Sequence, residues 1–378
     1  MVELALPTDR SAVTPFLESI PNVPAVFLLW PHSGEPHLGR TNVLRRRLSR
    51  LSGLFGTAER LEYQTAGSKL ESRFLHLQLA RQYLRGDYRR EIRLRLPFYV
   101  RLVLSNEFPR TRIVARLGRG EAVHVGPFRT KATAVQFESA FLDLFQLRRC
   151  AEDLAPSPDH PGCIYGEMGR CMRPCQQVVG VEEYRSEVLR VAEFLRSGGR
   201  SLMTSATGER ERLSADMDFE GAARAHQRVL KIEEVMGWRD EMARDVERLH
   251  AIAVAPSSRP DCVELGWLRG GYWHGFRPLD FTVGEDGRPA PLDARLREMA
   301  SEIPERRRCG GLERMEDLAV LSRWFYSSWC DGELLVVDDW EKISFRKLVN
   351  AISRVIRGGQ KPTPGKPAEA GPHENPRD

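Results

Sequence analysis

Residues 150–175 read CAEDLAPSPDHPGCIYGEMGRCMRPC, and the rest of the chain divides around them. Cys150, Cys163, Cys171 and Cys175 stand in the spacing C-x12-C-x7-C-x3-C, four of the chain's seven cysteines in one loop. Pro156, Pro158, Pro161 and Gly162 punctuate the loop, and little of it is apolar. Such a segment buries too little surface to offset its own ordering entropy. Four soft thiolates around a tetrahedral zinc or an iron–sulfur cluster would supply the missing cohesion, and spacing alone does not choose between the two. The alternative is four unrelated buried thiols, and their crowding into one loop argues against it.

Outward from the loop, composition sets the frame. The chain has 378 residues, 41% of them hydrophobic, which suits two or three domains with real cores. No apolar run is long enough to span a bilayer, and the opening MVELALPTDRSAVTPFLESI has early acids where a secretory leader would be basic. The expected location is the cytoplasm, without membrane contact, where cysteines serve as ligands or free thiols rather than as a disulfide framework. The net charge is +5 and most cations are arginine. Arg40, Arg45, Arg46, Arg47 and Arg50 crowd one short segment, and arginine forks suit phosphate.

Along the chain, Val26 to Trp30 reads as a buried strand, followed by a turn over Pro31–Gly34 and a second strand at His37–Gly39. TNVLRRRLSRLSGLF (41–55) reads as a helix with Thr41 or Asn42 as N-cap and Val43, Leu44, Leu48 and Leu51 near one face. A third strand at 60–64 and a helix over 67–84 follow. Residues 89–125 are β-rich, and KATAVQFESAFLDLFQL (131–147) is an amphipathic helix with Ala134, Phe137, Phe141, Leu144 and Leu147 as its stripe. After the cysteines a helix over 181–197 stops at Gly198-Gly199. Residues 208–248 form a polar helical hairpin broken near Met217-Asp218, with Asp218 as N-cap, too polar for a core pair. Strands restart at LHAIAVA (249–255), and Gly270-Gly271 turns a hairpin between CVELGWLR and YWHGFRPL. Helices near 290–302, 312–329 and 343–356 and a strand at 333–337 complete the ordered chain.

The order of these features resembles the UvrC/Cho excinuclease family of bacterial nucleotide-excision repair. PAVFLLW (24–30) and HLGRTNVLRRRL (37–48) resemble the two strands and basic helix of a GIY-YIG nuclease. FPRTRIVARL (108–117) and VGPFRTKATAVQFESAFLDLFQLRRC (125–150) are similar to the stretch leading into the family's cysteines, and CIYGEMGRCMRPC (163–175) matches its C-x7-C-x3-C segment. DMDFEGAARAHQRV (216–229) resembles the UVR motif, the hairpin through which the family contacts UvrB. The resemblance implies a [4Fe–4S] cluster at Cys150, Cys163, Cys171 and Cys175, with zinc as the alternative. It also implies damaged double-stranded DNA and UvrB as partners. Arg40, Arg45, Arg46, Arg47 and Arg50 would meet DNA, and Asp218, Phe219, Ala222, Ala223 and Arg224 would meet UvrB. No counterpart of the family's RNase H-like and helix-hairpin-helix domains is found, so any incision is expected from the first domain.

Phosphodiester hydrolysis needs a base, a cation for developing charge and an oxygen-held metal. The resemblance assigns these roles to two tyrosines, a helix arginine and a glutamate. Here Phe27 fills the first tyrosine slot and His37 the second, where an imidazole can still act as base. Arg40 keeps the charge that follows the glycine, and Arg47 fills the catalytic arginine slot. In LESRFLHLQLARQY (70–83), His76 stands where the family has its glutamate, and imidazole is a poor magnesium ligand. Glu71 lies five residues earlier, ~500° around a helix, and faces elsewhere. Magnesium or manganese enters only if the site cuts. Three readings stay open: a repair component that binds DNA and UvrB through a disarmed nuclease, a divergent Cho-like nicking enzyme, and a non-catalytic UvrB-binding adaptor.

The expected organisation is multidomain α+β. A lead-in (1–20) precedes a GIY-YIG-like small α/β domain (21–92) and a β-rich segment with a helix (93–149). A cysteine-rich metal connector (150–178), a helical region with the UVR hairpin (179–249) and a C-terminal α/β domain (250–356) follow. A disordered tail (357–378) closes the chain.

Overall fold

The computed structural model describes residues 1–118, 120–281, 291–307 and 309–358. The tail expected to be disordered lies, from residue 359 onward, outside the described residues. Among the described residues, three four-stranded sheets, each with its own helices, make the fold α+β.

The first sheet contains Val2–Ala5 (β1), Ala25–Pro31 (β2), His37–Thr41 (β3) and Ala58–Thr65 (β4), antiparallel in the order β1-β4-β2-β3. Its helices are Val13–Ser19 (α1), Leu44–Arg50 (α2), Lys69–Tyr83 (α3) and Tyr88–Glu91 (α4). The apolar run of β2 is explained by burial on both faces. Ala25, Phe27 and Leu29 join a core with Leu44 and Leu48 of α2, while Val26 and Leu28 pack with Leu79 of α3. The residues read as a lead-in supply β1, paired Val2↔Tyr63 through Ala5↔Arg60. The basic helix is shorter than the 41–55 expected. Thr41 Oγ1 accepts the Val43 N–H at 3.1 Å, and Val43 itself is extended (φ −141°), so the helix begins one residue later, with no side-chain cap. Val43, expected on the apolar face, is exposed, and Ser52–Thr57 narrows to a 3-10 turn.

The second sheet, Phe98–Val103 (β5), Thr111–Val114 (β6), Ala122–Phe128 (β7) and Arg244–Asp245 (β8), runs β6-β5-β7-β8. It packs with Lys131–Leu142 (α5), Ile164–Glu167 (α6), Val181–Ser197 (α7), Arg200–Ala215 (α8) and Phe219–Gly237 (α9). Thr130 and Thr133 cap α5 reciprocally, and Phe137, Phe141 and Phe194 of α7 lie in one core. Gly198 ends α7 in the left-handed region (φ 63°), with the Gly199 N–H on the Phe194 carbonyl at 2.8 Å. The hairpin is longer at its base than 208–248 suggested, since α8 begins at Arg200, while α9 ends at Gly237. Nor is it wholly outside the core: Leu202, Ala206, Val229, Ile232 and Val235 enter it along the inner seam.

The third sheet, His250–Pro256 (β9), Cys262–Arg269 (β10), Tyr272–Asp280 (β11) and Glu333–Val337 (β12), runs β11-β10-β9-β12. Gly270 (φ 58°) and Gly271 (φ 71°) make its turn, a conformation that favours glycine. Leu292–Ser301 (α10), Gly311–Phe325 (α11) and Phe345–Ile356 (α12) cover it. This unit grips the first. Phe74 of α3 stacks flat on Trp273 of β11 at 4.2 Å, and Arg81 of α3 enters a carboxylate cluster on α11. Among the described residues no helix is long and apolar enough to cross a membrane.

Candidate nucleic-acid interface

The grip between α3 and α11 places cations from distant segments around one cavity of about 340 Å³. Arg40, Thr41 and Asn42 come from the end of β3, Lys69 and Arg73 from the first turns of α3, and Trp329 from the segment after α11. Lys69 and Arg73 share a helix face because they are four residues apart. The Arg73 guanidinium lies 4.1 Å over the Trp329 ring, and Lys69 Nζ donates to the Trp329 carbonyl at 3.3 Å. Burial, then the neighbouring Arg40 and Arg323, pull Arg73 down to about 10, and burial with Arg323 lowers Arg40. These are guanidiniums short of counter-charge.

The residues expected at a nuclease centre fall around the same cations. Burial, then Arg40 and Arg73, push His76 down to about 4, so it is a neutral imidazole at physiological pH. Burial and Arg47 lower His37, so Arg47 lies within electrostatic reach of it. Phe27 is fully buried, its ring filling the space where a side chain on Gly39 would stand, and it offers no hydroxyl. Among the described residues no acid lines the cavity. The nearby Asp331 is already engaged, accepting the Lys69 N–H at 2.6 Å and Trp324 Nε1–H at 2.9 Å through its two oxygens. Glu71 faces another cavity, where it accepts the Gly67 N–H at 2.7 Å and burial raises its carboxyl.

Trp329 and Arg323 also border a second cavity of about 470 Å³ that carries Arg95, Arg129, Lys131 and Tyr326. Alternating cations and aromatic faces are what a nucleic-acid strand meets on a binding track. Of the arginines expected to touch DNA, Arg40 alone lines these cavities. Arg45 donates to the Ile20 carbonyl at 2.8 Å and holds α2 in place, while Arg46, Arg47 and Arg50 are exposed on α2. Lys69, Arg73, Arg323 and Trp329 escaped the sequence reading. The i,i+4 pair on α3 was a usable signal, but nothing local links it to residues 323 and 329.

The cysteine loop folds as turns around its sulfurs. Cys171 and Cys175 are buried, and Cys150 and Cys163 half-buried. Burial raises the Cys171 thiol and its three partners raise it further, so all four lie within electrostatic reach. The Arg173 N–H points at Cys171 Sγ (3.4 Å) and Arg148 Nη1 at Cys150 Sγ (3.5 Å), as donors do toward ligating thiolates. Gly162, Gly169, Arg173 and Gln177 all have positive φ, which curls the chain about this point. Among the described residues no three His, Cys, Asp or Glu side chains are already arranged to hold a metal ion. The donor type fits a thiolate-bound centre.

At the hairpin tip, Asp218 Oδ1 accepts the Gly221 N–H at 2.8 Å and caps α9. Met217 is 76% and Phe219 71% exposed. Ala223, Arg224, His226 and Leu230 are exposed, Ala222 half-buried, and Ala225 and Val229 turned inward. Phe219, Ala223, His226 and Leu230 follow the spacing of one helix face.

Residues 98–194 match the family description "UvrC/Cho excinuclease, middle domain". The chain is similar to the UvrABC system protein C of Moorella thermoacetica, 25% identical over 324 residues, 82% of this chain and 52% of that protein. It is likewise similar to that of Lachnospira eligens, 23% identical over 286 residues, 71% of this chain and 46% of the relative. The same protein of Alcanivorax borkumensis is 25% identical over 303 residues, 74% and 48% of the two chains. The chain thus spans about half the length of the curated relatives it matches. No solved structure matches it.

Proposed function

The chain belongs to the UvrC/Cho excinuclease family, and on that premise we propose that it serves nucleotide-excision repair as a DNA- and UvrB-binding component whose first nuclease site is disarmed. The observation that carries this is the all-cationic lining at Arg40, Lys69 and Arg73, with neutral His76 where the family has a glutamate. Magnesium and manganese are hard cations that need oxygen ligands, and here they would enter among like charges. A backbone phosphate meets the opposite situation: guanidinium and ammonium donors with no competing acid on the wall. The same pocket is therefore poor for metal-dependent hydrolysis and good for holding a strand.

The test is incubation of the protein with lesion-bearing duplex in magnesium and in manganese, beside a binding titration. The expected result is retention of DNA with no new strand end. Arg73→Gln should weaken binding to all sequences alike and reduce the slope of log affinity against log salt by about 1. A metal-dependent nick abolished by Arg47→Ala would overturn the proposal in favour of the nicking reading, in which His37 acts as base.

The four cysteines are proposed to hold a [4Fe–4S] cluster, which would supply cohesion to a loop that lacks a core. Protein purified without oxygen should absorb in the visible and contain iron, and both should vanish in Cys171→Ser. Stoichiometric zinc without iron would assign the site to zinc instead.

A further inference from the structure

Away from the first sheet, five arginines converge on a cavity of about 250 Å³ at the base of the hairpin: Arg196, Arg200, Arg239, Arg244 and Arg248. They come from the end of α7, the start of α8, the turn after α9, β8 and the 3-10 turn behind it. Two acids share the lining, Asp245 and Asp338. Asp245 is buried and accepts the Glu247 N–H; burial raises its carboxyl, while Arg248 and Arg196 pull it back down, so one acid is shared among several guanidiniums. Asp338, from the loop after β12, is 62% exposed and sits 3.5 Å from Arg244 and 3.8 Å from Arg200.

The remaining contacts show which arginines the fold itself employs. Arg244 donates to the Glu241 and Ala243 carbonyls and Arg248 to the Arg196 carbonyl. The Arg239 guanidinium makes no hydrogen bond among the described residues, although the residue is half-buried. Burial, then Arg244, pull it down to about 10. Its guanidinium lies where a side chain on Gly198 would stand, so the glycine that ends α7 also makes room for it. Gathering guanidiniums with too little counter-charge destabilises a fold unless an anion joins them.

We propose that this cavity binds a phosphate group, of a nucleic-acid backbone or of a free polyphosphate, with Asp338 as the internal carboxylate that the phosphate displaces. Several planar forks around one point match a multiply charged oxyanion better than a single carboxylate. The cavity holds about eight water volumes, enough for a phosphate with some of its hydration. The inference stands apart from the Arg40–Arg73 pocket, and the test keeps the two separate.

The experiment uses the full chain, with sodium pyrophosphate in a calorimeter and a short labelled duplex in an anisotropy titration across potassium chloride. Asp338→Asn removes the internal competitor and is expected to tighten binding about threefold or more, a gain that misfolding cannot produce. Arg200→Gln with Arg239→Gln is expected to loosen it at least tenfold, roughly, and to lower the salt slope for the duplex by about 2. Changes with pyrophosphate identify a small polyphosphate as the source, and changes with the duplex alone identify the backbone. If neither variant changes either titration, or if a polyglutamate peptide binds more tightly than both probes, the inference is overturned. Loss confined to Arg73→Gln would fault this site and leave the N-terminal pocket standing; loss confined to the Arg200 and Arg239 variant would do the reverse.

Discussion

Arg81→Ala is expected to lower the unfolding free energy by about 3–5 kcal/mol at neutral pH, the cost of leaving two buried carboxylates without the cation that bridges them. Arg81 Nε donates to Glu316 at 2.8 Å and Nη2 to Asp317 at 2.9 Å, and Nη2 also reaches the Glu313 carbonyl. The side chains of Glu316 and Asp317 are 0% and 3% exposed, so water cannot replace the guanidinium. Tyr88 and Arg89 also reach Glu316 and Arg307 reaches Asp317, but the two cations stand off at 4.0 and 3.7 Å, and Arg81 bridges both carboxylates at hydrogen-bond distance. Burial pushes Asp317 up to about 6 even with Arg81 pulling against it. Without Arg81 it rises further. A carboxyl whose folded value lies above its unfolded one favours the fold when protonated, below about 4, and loses that contribution as pH rises through the folded value. The defect should therefore be larger at pH 8 than at pH 5. Urea titrations of both proteins at the two pH values check this, and an equal defect at both would refute the buried-pair account. Because Arg81 ties α3 to α11, the variant should also open the Arg73–Trp329 cavity and weaken the DNA binding proposed for it.

This junction shows what the sequence could and could not reveal. Elements signalled by neighbours within a few residues were legible: the buried run of β2, the start of the striped helix at Lys131 (though it ends at Leu142, leaving Leu144 and Leu147 beyond it), the Gly198-Gly199 stop, the Asp218 cap and the Gly270-Gly271 hairpin. Elements made by distant partners were not. Val2–Ala5 becomes a strand only because Ala58–Thr65 offers an edge, and Arg244–Asp245 is a strand of two residues that exists only against β7. The early end of α2 reflects Gly53 and Gly56, which favour the tighter turn over a continued helix.

The candidate site divides along the same line. The cysteines were legible because ligand chemistry demands residue type and spacing. The arginine run was legible as charge, yet Arg45 serves packing and only Arg40 reaches the cavity. Its true companions, Lys69, Arg73, Arg323 and Trp329, are scattered over the chain, and only the docking of the third sheet on α3 assembles them. The substitution of His76 for a carboxylate was visible in advance. That its surroundings are cationic, and so hold it neutral, required the fold.

Phe219→Ala is expected to weaken the proposed binding to UvrB by about 2 kcal/mol or more, roughly thirtyfold, while leaving the melting temperature of the free protein unchanged. The two halves of this expectation come from one fact: the ring is 71% exposed, so it contributes little to the fold and is available to a partner. Asp218 fixes where the ring points, because its carboxylate caps α9 and thereby sets the first turn, which begins at Phe219. A side chain on Gly221 would push that carboxylate aside, so the glycine leaves the cap room to form. The inner face of α9 is committed to the core through Ala225, Val229, Ile232 and Val235, so the helix cannot rotate to hide Phe219. Met217, Ala223 and Leu230 extend the exposed apolar surface beyond the ring. An apolar tip held rigid on a polar hairpin has the form of an anchor for a partner groove. Asp218→Ala should lose about 1 kcal/mol of helix stability as well as affinity, whereas Phe219→Ala should lose affinity alone. If Phe219→Ala binds UvrB as tightly as the parent in a calorimetric titration, the hairpin is not the contact, and its exposed tip needs another explanation.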